Sequence, residues 1–381
     1  MASVLWVENK LEVPDFRPVS AADARGALSF WRGAPFYAPS PLVRLDGAAR
    51  RLGLGAVYLK DEGRRFDTGS FKFLGAGYAM ASALGAESWS AAANAARRTT
   101  FYTATDGNHG RAVARAARLL SQSAVVLMPA GSTRARFDAI AAEGARVTIE
   151  DANYDECVRR AALLAAESGG VLLQDTTQPG YEVLPREIMR GYGTIAAELA
   201  SELASPPTHV VLQAGVGSFA GALASALAEL YPGAGITFLV AEAAAAPCLL
   251  RSVEAGAVRT VDGDIRTIMA GLACGEPCSL GLASLEARAK VFAAIDDDCA
   301  AAAMRDLASG ADGDERVTAG ESGAAGYALL RAAMLTPELA GLRAAAGLDE
   351  RSRVLVVNTE TATDPDSYRR IVGNFAGQNP S

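Results

Sequence analysis

Residues 99–120, TTFYTATDGNHGRAVARAARLL, hold one complete β-loop-α unit. TTFYTAT at 99–105 has the β-branched and aromatic bias of a strand, DGNHG at 106–110 reads as a turn, and RAVARAARLL at 111–120 reads as a helix. The pattern recurs downstream. SAVVLMP is followed by a helix near 132–143, ARVTIED by a helix near 153–168, and VLLQD at 171–175 supplies a further strand. Four strands alternating with helices predict a parallel sheet.

Upstream of this series, VYLKDE at 57–62 reads as a strand and SFKFLGAGYAMASALG at 70–85 as a helix with Lys72 in its first turn. The alanine-rich ESWSAAANAARR at 87–98 either continues that helix or acts as a hinge. A second α/β series begins with THVVLQAG at 208–215, continues through a glycine-rich turn into AGALASALAELY, and then TFLVAE at 237–242. RVLVVNTE at 353–360 adds a late apolar strand, and the tail after Tyr368 is expected to be loose. A chain of 381 residues exceeds what one core comfortably fills, so two lobes are expected.

Composition narrows the function class. A net charge of −7, with no Lys/Arg-rich run, disfavours nucleic acid as a partner. No apolar stretch is long enough for a membrane span, and Glu8 and Glu12 interrupt the start of the chain where a signal peptide would be apolar. The five scattered cysteines point to a reducing cytoplasm. Cys274 and Cys278 are four apart, but with only His109 and His209 in the chain a four-ligand zinc site is hard to assemble, so no metal is expected.

Three elements carry chemistry. Lys72 in GSFK, at a helix start and flanked by Phe71 and Phe73, can have its pKa lowered by burial and by the positive helix end, which gives the neutral amine that Schiff-base formation requires. Taken alone, the motif reads more readily as a surface lysine snorkelling off an amphipathic helix. AGVGSFAG at 214–221 lets the backbone of Gly215, Val216, Gly217, Ser218 and Gly221 converge on an anion, and bulk at Gly217 would fill the space that anion needs. The dinucleotide fingerprint is broken because Ala220 stands at its third glycine, so a simple phosphate fits better, although such a turn can also be only structural. In TDGNHG at 105–110, the Asn108 amide can donate and accept, and Asp106 is either a general base or a helix cap. His109 reads as a packed turn residue.

Lysine in S-x-K, then an asparagine loop, then a glycine-rich turn resembles the layout of the fold-type II pyridoxal-phosphate enzymes, which include threonine and serine dehydratases and cysteine synthase. The stretches KDEGRRFDTGSFKFLGAGYA, ATDGNHGR, MPAGSTRARFDAI, DANYDECVR, QDTTQPGY, QAGVGSFAG, TIMAGLACGEP, GESGAAG and NTETATD are together similar to the diaminopropionate ammonia-lyase family over nearly the whole chain. The resemblance implies a two-lobed α/β fold in which each lobe is a mainly parallel sheet flanked by helices. Residues 1–86 and 191–381 would form the large cofactor-binding domain, and 87–190 a small mobile domain that closes on substrate.

The resemblance further implies pyridoxal 5'-phosphate bound to Lys72, with Asn108 at the ring hydroxyl, Gly215 to Gly221 at the phosphate and Thr359 among the cofactor-binding residues. Lys72 would take the α-proton of the L-substrate and Asp106 that of the D-substrate, while Asp175 would face the substrate amine or assist as a base. The partner is a small amino acid, and the assembly a homodimer. Loss of the β-amino group of 2,3-diaminopropionate, or of a related β-substituted alanine, would give pyruvate and ammonia; a β-replacement synthase or a dehydratase acting on another such amino acid, and a catalytically silent regulatory protein, are the competing expectations. The chain departs from the family at Gln178-Pro179, where a tryptophan and an acidic residue are usual, at Gly69-Ser70 in place of Asn-Ala, and at Thr361-Ala362 in place of Gly-Asp.

Overall fold

The computed structural model describes residues 4–105, 107–263 and 265–373. Within them lie two sheets. The strands, in chain order, are β1 Val4–Glu8, β2 Leu42–Arg44, β3 Ala56–Asp61, β4 Thr100–Ala104, β5 Ser123–Met128, β6 Arg146–Ile149, β7 Val171–Leu172, β8 His209–Gln213, β9 Thr237–Ala243, β10 Ala289–Ile295 and β11 Arg353–Asn358. The larger sheet has the order β1-β10-β9-β8-β11-β3-β2 and the smaller one β6-β5-β4-β7. The smaller sheet is parallel throughout, and the larger is parallel except at its two edges, where β1 and β2 run antiparallel to their neighbours.

Burial explains the strands. Every residue of β8 is buried, as are the interiors of β9, β10 and β11, which is how strands covered on both faces by helices must read. The expected VLLQD strand shortens to Val171–Leu172, because the Gln174 side chain instead accepts the Thr103 hydroxyl and the Ala104 amide. The alanine-rich segment is a separate short helix, Trp89–Ala93, begun by the Ser88 hydroxyl, which accepts the Ala91 N–H. Of the tail expected to be loose, residues 374–381 lie outside the described residues, while 369–372 belong to a helix. Asp364 caps a helix Pro365–Val372 whose Tyr368 and Val372 are buried. The expected domain limit at residue 190 falls inside one unbroken helix, Val183–Glu202, which packs on the helices Ala21–Arg32, Lys72–Ala83 and Ser218–Leu230.

The segment leading to Lys72 is held from two sides. Phe66 and Asp67 have φ of +48° and +56°, an uncommon conformation for side chains of this kind, and the Phe66 ring is locked among Trp31, Phe36 and Phe73. Beside it, the fully buried Arg65 guanidinium donates to Glu62 at 2.7 and 2.9 Å and to Glu198 at 2.7 and 2.9 Å. Lys60, also fully buried, joins Glu198 at 2.9 Å and Glu202 at 2.8 Å. Removing one partner from such a network strands an uncompensated charge in the interior. Arg65→Ala should therefore lower stability by about 3–5 kcal/mol. Denaturant unfolding checks this, and a loss below about 1 kcal/mol would mean the network is solvated in practice.

Candidate active site

A cavity of about 980 Å³ opens where the C-terminal ends of β3-flanking segments, β4, β8 and β11 face one another, and it gathers most of the residues singled out from sequence. Lys72, Asn108, Asp175, Gly215, Val216, Gly217, Ser218 and Thr359 all line it. Gly221 does not. Asp106 lies outside the described residues.

Lys72 is the first residue of the helix Lys72–Ala83, and its Nζ forms an ion pair with Asp175 at 2.5 Å. The sequence predicts a depressed lysine pKa, and the structure reverses this. Burial does pull the lysine down, but the Asp175 carboxylate outweighs it and holds the ammonium well above the ordinary lysine range. Burial alone would raise Asp175, yet the Lys72 ammonium holds it far below the usual carboxylate range. The buried His109 ring meets the Leu173 carbonyl through Nε2 at 2.9 Å, so that nitrogen must be the donor. Its unpaired Nδ1 then stands 3.8 Å from Asp175, and burial keeps the ring neutral by lowering its pKa. His109 is thus both packed and part of the cavity wall.

The glycine turn joins β8 to the helix Ser218–Leu230. Gly217 takes φ +94°, a left-handed conformation natural to glycine, and the first amides of the helix have no intrahelical acceptor. A side chain at Gly217 would not fill the anion's space as expected from sequence. Its Cβ would instead press on Leu249 at 3.2 Å and face Leu285 at 3.6 Å. Gly221 is a correction of the same kind: its N–H already donates to the Gly217 carbonyl at 2.8 Å, and its Cβ would fall 2.8 Å from the Gly281 carbonyl oxygen. It is glycine so that the helix Ser279–Glu286 can pack close. The Ser218 hydroxyl donates to the Asp175 carbonyl at 2.6 Å and so ties the turn to the QDT loop.

The cavity fits pyridoxal phosphate on its own geometry. Its lining includes the start of the helix Ser218–Leu230, whose N-terminal amides can take a phosphate, together with Asn108 and a single lysine, Lys72. Thr359, buried at the end of β11, accepts the Gln213 amide N–H through Oγ1 at 3.0 Å, and Gln213 Oε1 is buried without a partner. Among the described residues, no group of three or more His, Cys, Asp or Glu could hold a metal ion, the five cysteines are free, and no helix is long and apolar enough to cross a membrane.

Among the lining residues that sequence reasoning did not single out are Tyr154, Glu321 and Glu360. Tyr154 accepts the Gln174 amide at 2.8 Å, Glu360 accepts the Asn108 amide, and Glu321 is buried. All three lie inside the quoted motifs DANYDECVR, GESGAAG and NTETATD, and only their tertiary neighbours give them a site.

The structure also joins two of the departures from the family pattern. Thr361 donates its N–H to the Gly69 carbonyl at 2.9 Å, and a Cβ built on Gly69, at φ +74°, would lie 2.9 Å from Thr361 Cγ2. A small residue at 69 and a larger one at 361 therefore compensate each other. Gly69→Asn alone should cost about 1–3 kcal/mol through overpacking, and Gly69→Asn with Thr361→Gly should recover most of it, since asparagine tolerates the left-handed backbone. Thermal unfolding of both variants reads the result, and additive losses would break the link.

A family model described as pyridoxal-phosphate-dependent enzyme matches residues 34–360. Diaminopropionate ammonia-lyase of Escherichia coli K12 is 40% identical over 365 residues, covering 93% of this chain and 92% of that protein. The crystal structure of the E. coli enzyme in complex with D-serine superposes with a TM-score of 0.92 at 37% identity, covering 98% of both chains. The same enzyme with an aminoacrylate-PLP azomethine intermediate superposes at 0.90 and 37% identity, covering 98% of this chain and 97% of that one. A match of this length places the chain among the pyridoxal-phosphate-dependent enzymes and, within them, in the diaminopropionate ammonia-lyase family.

Proposed function

We propose that this protein eliminates the β-amino group of 2,3-diaminopropionate, or of a close β-substituted alanine, and releases pyruvate and ammonia. The observation that carries this reading is the pairing of Lys72 with Asp175 in a cavity that also presents Asn108 and the 215–218 turn, in a chain 40% identical to an enzyme of that name. Pyridoxal 5'-phosphate is the cofactor, and when bound it acts as the electron sink that stabilises negative charge at the substrate Cα. Lys72 is its covalent anchor, the amides of Gly215 to Ser218 cradle its phosphate, and Asn108 and Thr359 meet its ring.

Around the cofactor the chain's residues handle protons. Lys72, on one face, accepts the α-proton of an L-substrate; Asp106 is assigned the opposite face and the D-substrate. Asp175, which stands 2.5 Å from Lys72 Nζ, aligns the substrate amine. Residues 87–190, which include the four strands of the smaller sheet, act as the lobe that closes on the substrate and excludes water. We read the protein as a cytoplasmic homodimer; five free cysteines suit a reducing compartment, and the assembly follows the family reading.

Gln178-Pro179 supports a second reading, in which another β-substituent leaves or a nucleophile replaces it. A pyruvate assay on a panel of β-substituted alanines, with and without added thiol or amine, separates the two. Highest kcat/KM on diaminopropionate with no trapped adduct supports elimination. A substituted amino acid as the main product would replace that reading.

A further inference from the structure

Glu360 is buried to within 4% of full exclusion, yet its carboxylate faces the cavity. One oxygen accepts the Asn108 side-chain N–H and the other accepts the Ser322 backbone N–H at 3.0 Å. Its own backbone is a junction. Gly320 donates its N–H to the Glu360 carbonyl at 2.9 Å, and Ser70 forms a bridge with Glu360. On either side, Phe71 donates to the Thr359 carbonyl at 3.3 Å and Thr361 donates to the Gly69 carbonyl at 2.9 Å. Three segments far apart in sequence therefore meet at this residue: the one that carries Lys72, the one that carries Asn108, and the turn at 320–323.

We propose that Glu360 is a positioning residue that fixes the Asn108 amide for the cofactor ring and keeps these three segments in register. The inference rests on the reading of the cavity as a pyridoxal-phosphate site. An amide can present either its oxygen or its nitrogen to a neighbour, and the two are nearly alike in shape. Here both Glu360 oxygens act as acceptors, so the Asn108 nitrogen must face the carboxylate. That leaves Oδ1 and the second N–H as the groups Asn108 can offer elsewhere. Without the carboxylate the amide is free to turn, and a group meant for the ring is presented correctly only part of the time. A Gly320 Cβ would lie 3.0 Å from Glu360 Cγ and 3.1 Å from Oε1, so the absence of a side chain at 320 is what leaves the Glu360 carboxylate its place.

The test is a double-mutant cycle read by pyridoxal-phosphate affinity and by the pH dependence of the visible band, using wild type, Glu360→Ala, Asn108→Ala and the double variant. Wild type must first bind the cofactor and show the visible band; if it does not, the cofactor reading itself fails, and Glu360 is not the cause. Given that, Glu360→Ala should weaken affinity about tenfold, as expected for loss of a charge-assisted hydrogen bond, and move the pH midpoint of the band. In the Asn108→Ala background the same change should alter affinity by less than about twofold. Glu360→Gln keeps one acceptor and should recover part of the affinity, and it carries the cycle if the alanine variant does not fold. Equal losses in both backgrounds, or a lower melting temperature with unchanged affinity and band, would overturn the proposal.

Discussion

Replacing Lys72 with alanine is expected to remove the visible absorbance of the cofactor-loaded protein together with nearly all turnover. The chain has four lysines, Lys10, Lys60, Lys72 and Lys290, and their surroundings differ sharply. Lys10 has a side chain 81% exposed, and Lys290 pairs with Glu8 on the surface at 2.7 Å. Lys60 is fully enclosed by Glu198, Glu202 and the Ser40 carbonyl, so no aldehyde can reach it. Lys72 alone among them lines the cavity. Arginine at position 72 would keep the charge opposite Asp175 but could never present a neutral amine, so Lys72→Arg should be as inactive as the alanine variant while folding better. Borohydride treatment of the holoenzyme followed by peptide mapping is the check. A label on the peptide holding Lys60 or Lys290 would show that the anchor has been misplaced.

That assignment could be made from sequence because GSFK, the asparagine loop and the glycine-rich turn follow the order of a known family, whereas much of the rest depends on tertiary context. β8, β9 and β11 are continuous apolar runs that stand out from their flanks, and the GVGS and GNHG turns announce themselves by glycine between a strand and a helix. β1 gives no such signal: it is five residues long and becomes a strand by pairing Val4 to Glu8 with Ile295 to Val291, nearly the whole chain away. The protonation of Lys72 was misjudged for the same reason. Burial and a helix end are visible in the sequence, but Asp175, 103 positions downstream, is a neighbour only in the fold. The glycines show the limit from the other side. Gly217 and Gly221 look equivalent in AGVGSFAG, and only the packed helix Ser279–Glu286 reveals that Gly221 serves a neighbouring backbone.

The two aspartates should be separable by stereochemistry. Burial would raise the Asp175 carboxyl, but the Lys72 ammonium holds it well below the usual carboxylate range. Asp175→Asn keeps the shape but withdraws the charge that holds the Lys72 proton. With that counter-ion gone, burial dominates and the lysine pKa falls. A weaker base and a less well-aligned amine then affect every substrate, so both enantiomers of diaminopropionate should lose rate, by about 10²–10⁴-fold if the pair acts in proton transfer. Asp106→Asn tests the opposite face. Lys72 stays paired in that variant, so the L-substrate should be nearly unaffected while the D-substrate loses about 10²–10⁴-fold. Side-by-side kcat/KM values for the two enantiomers in the two variants decide the matter. Equal losses on both enantiomers in Asp106→Asn would sink the two-base assignment, and a loss confined to one enantiomer in Asp175→Asn would make Asp175 a face-specific base, no longer the partner that serves Lys72 for both.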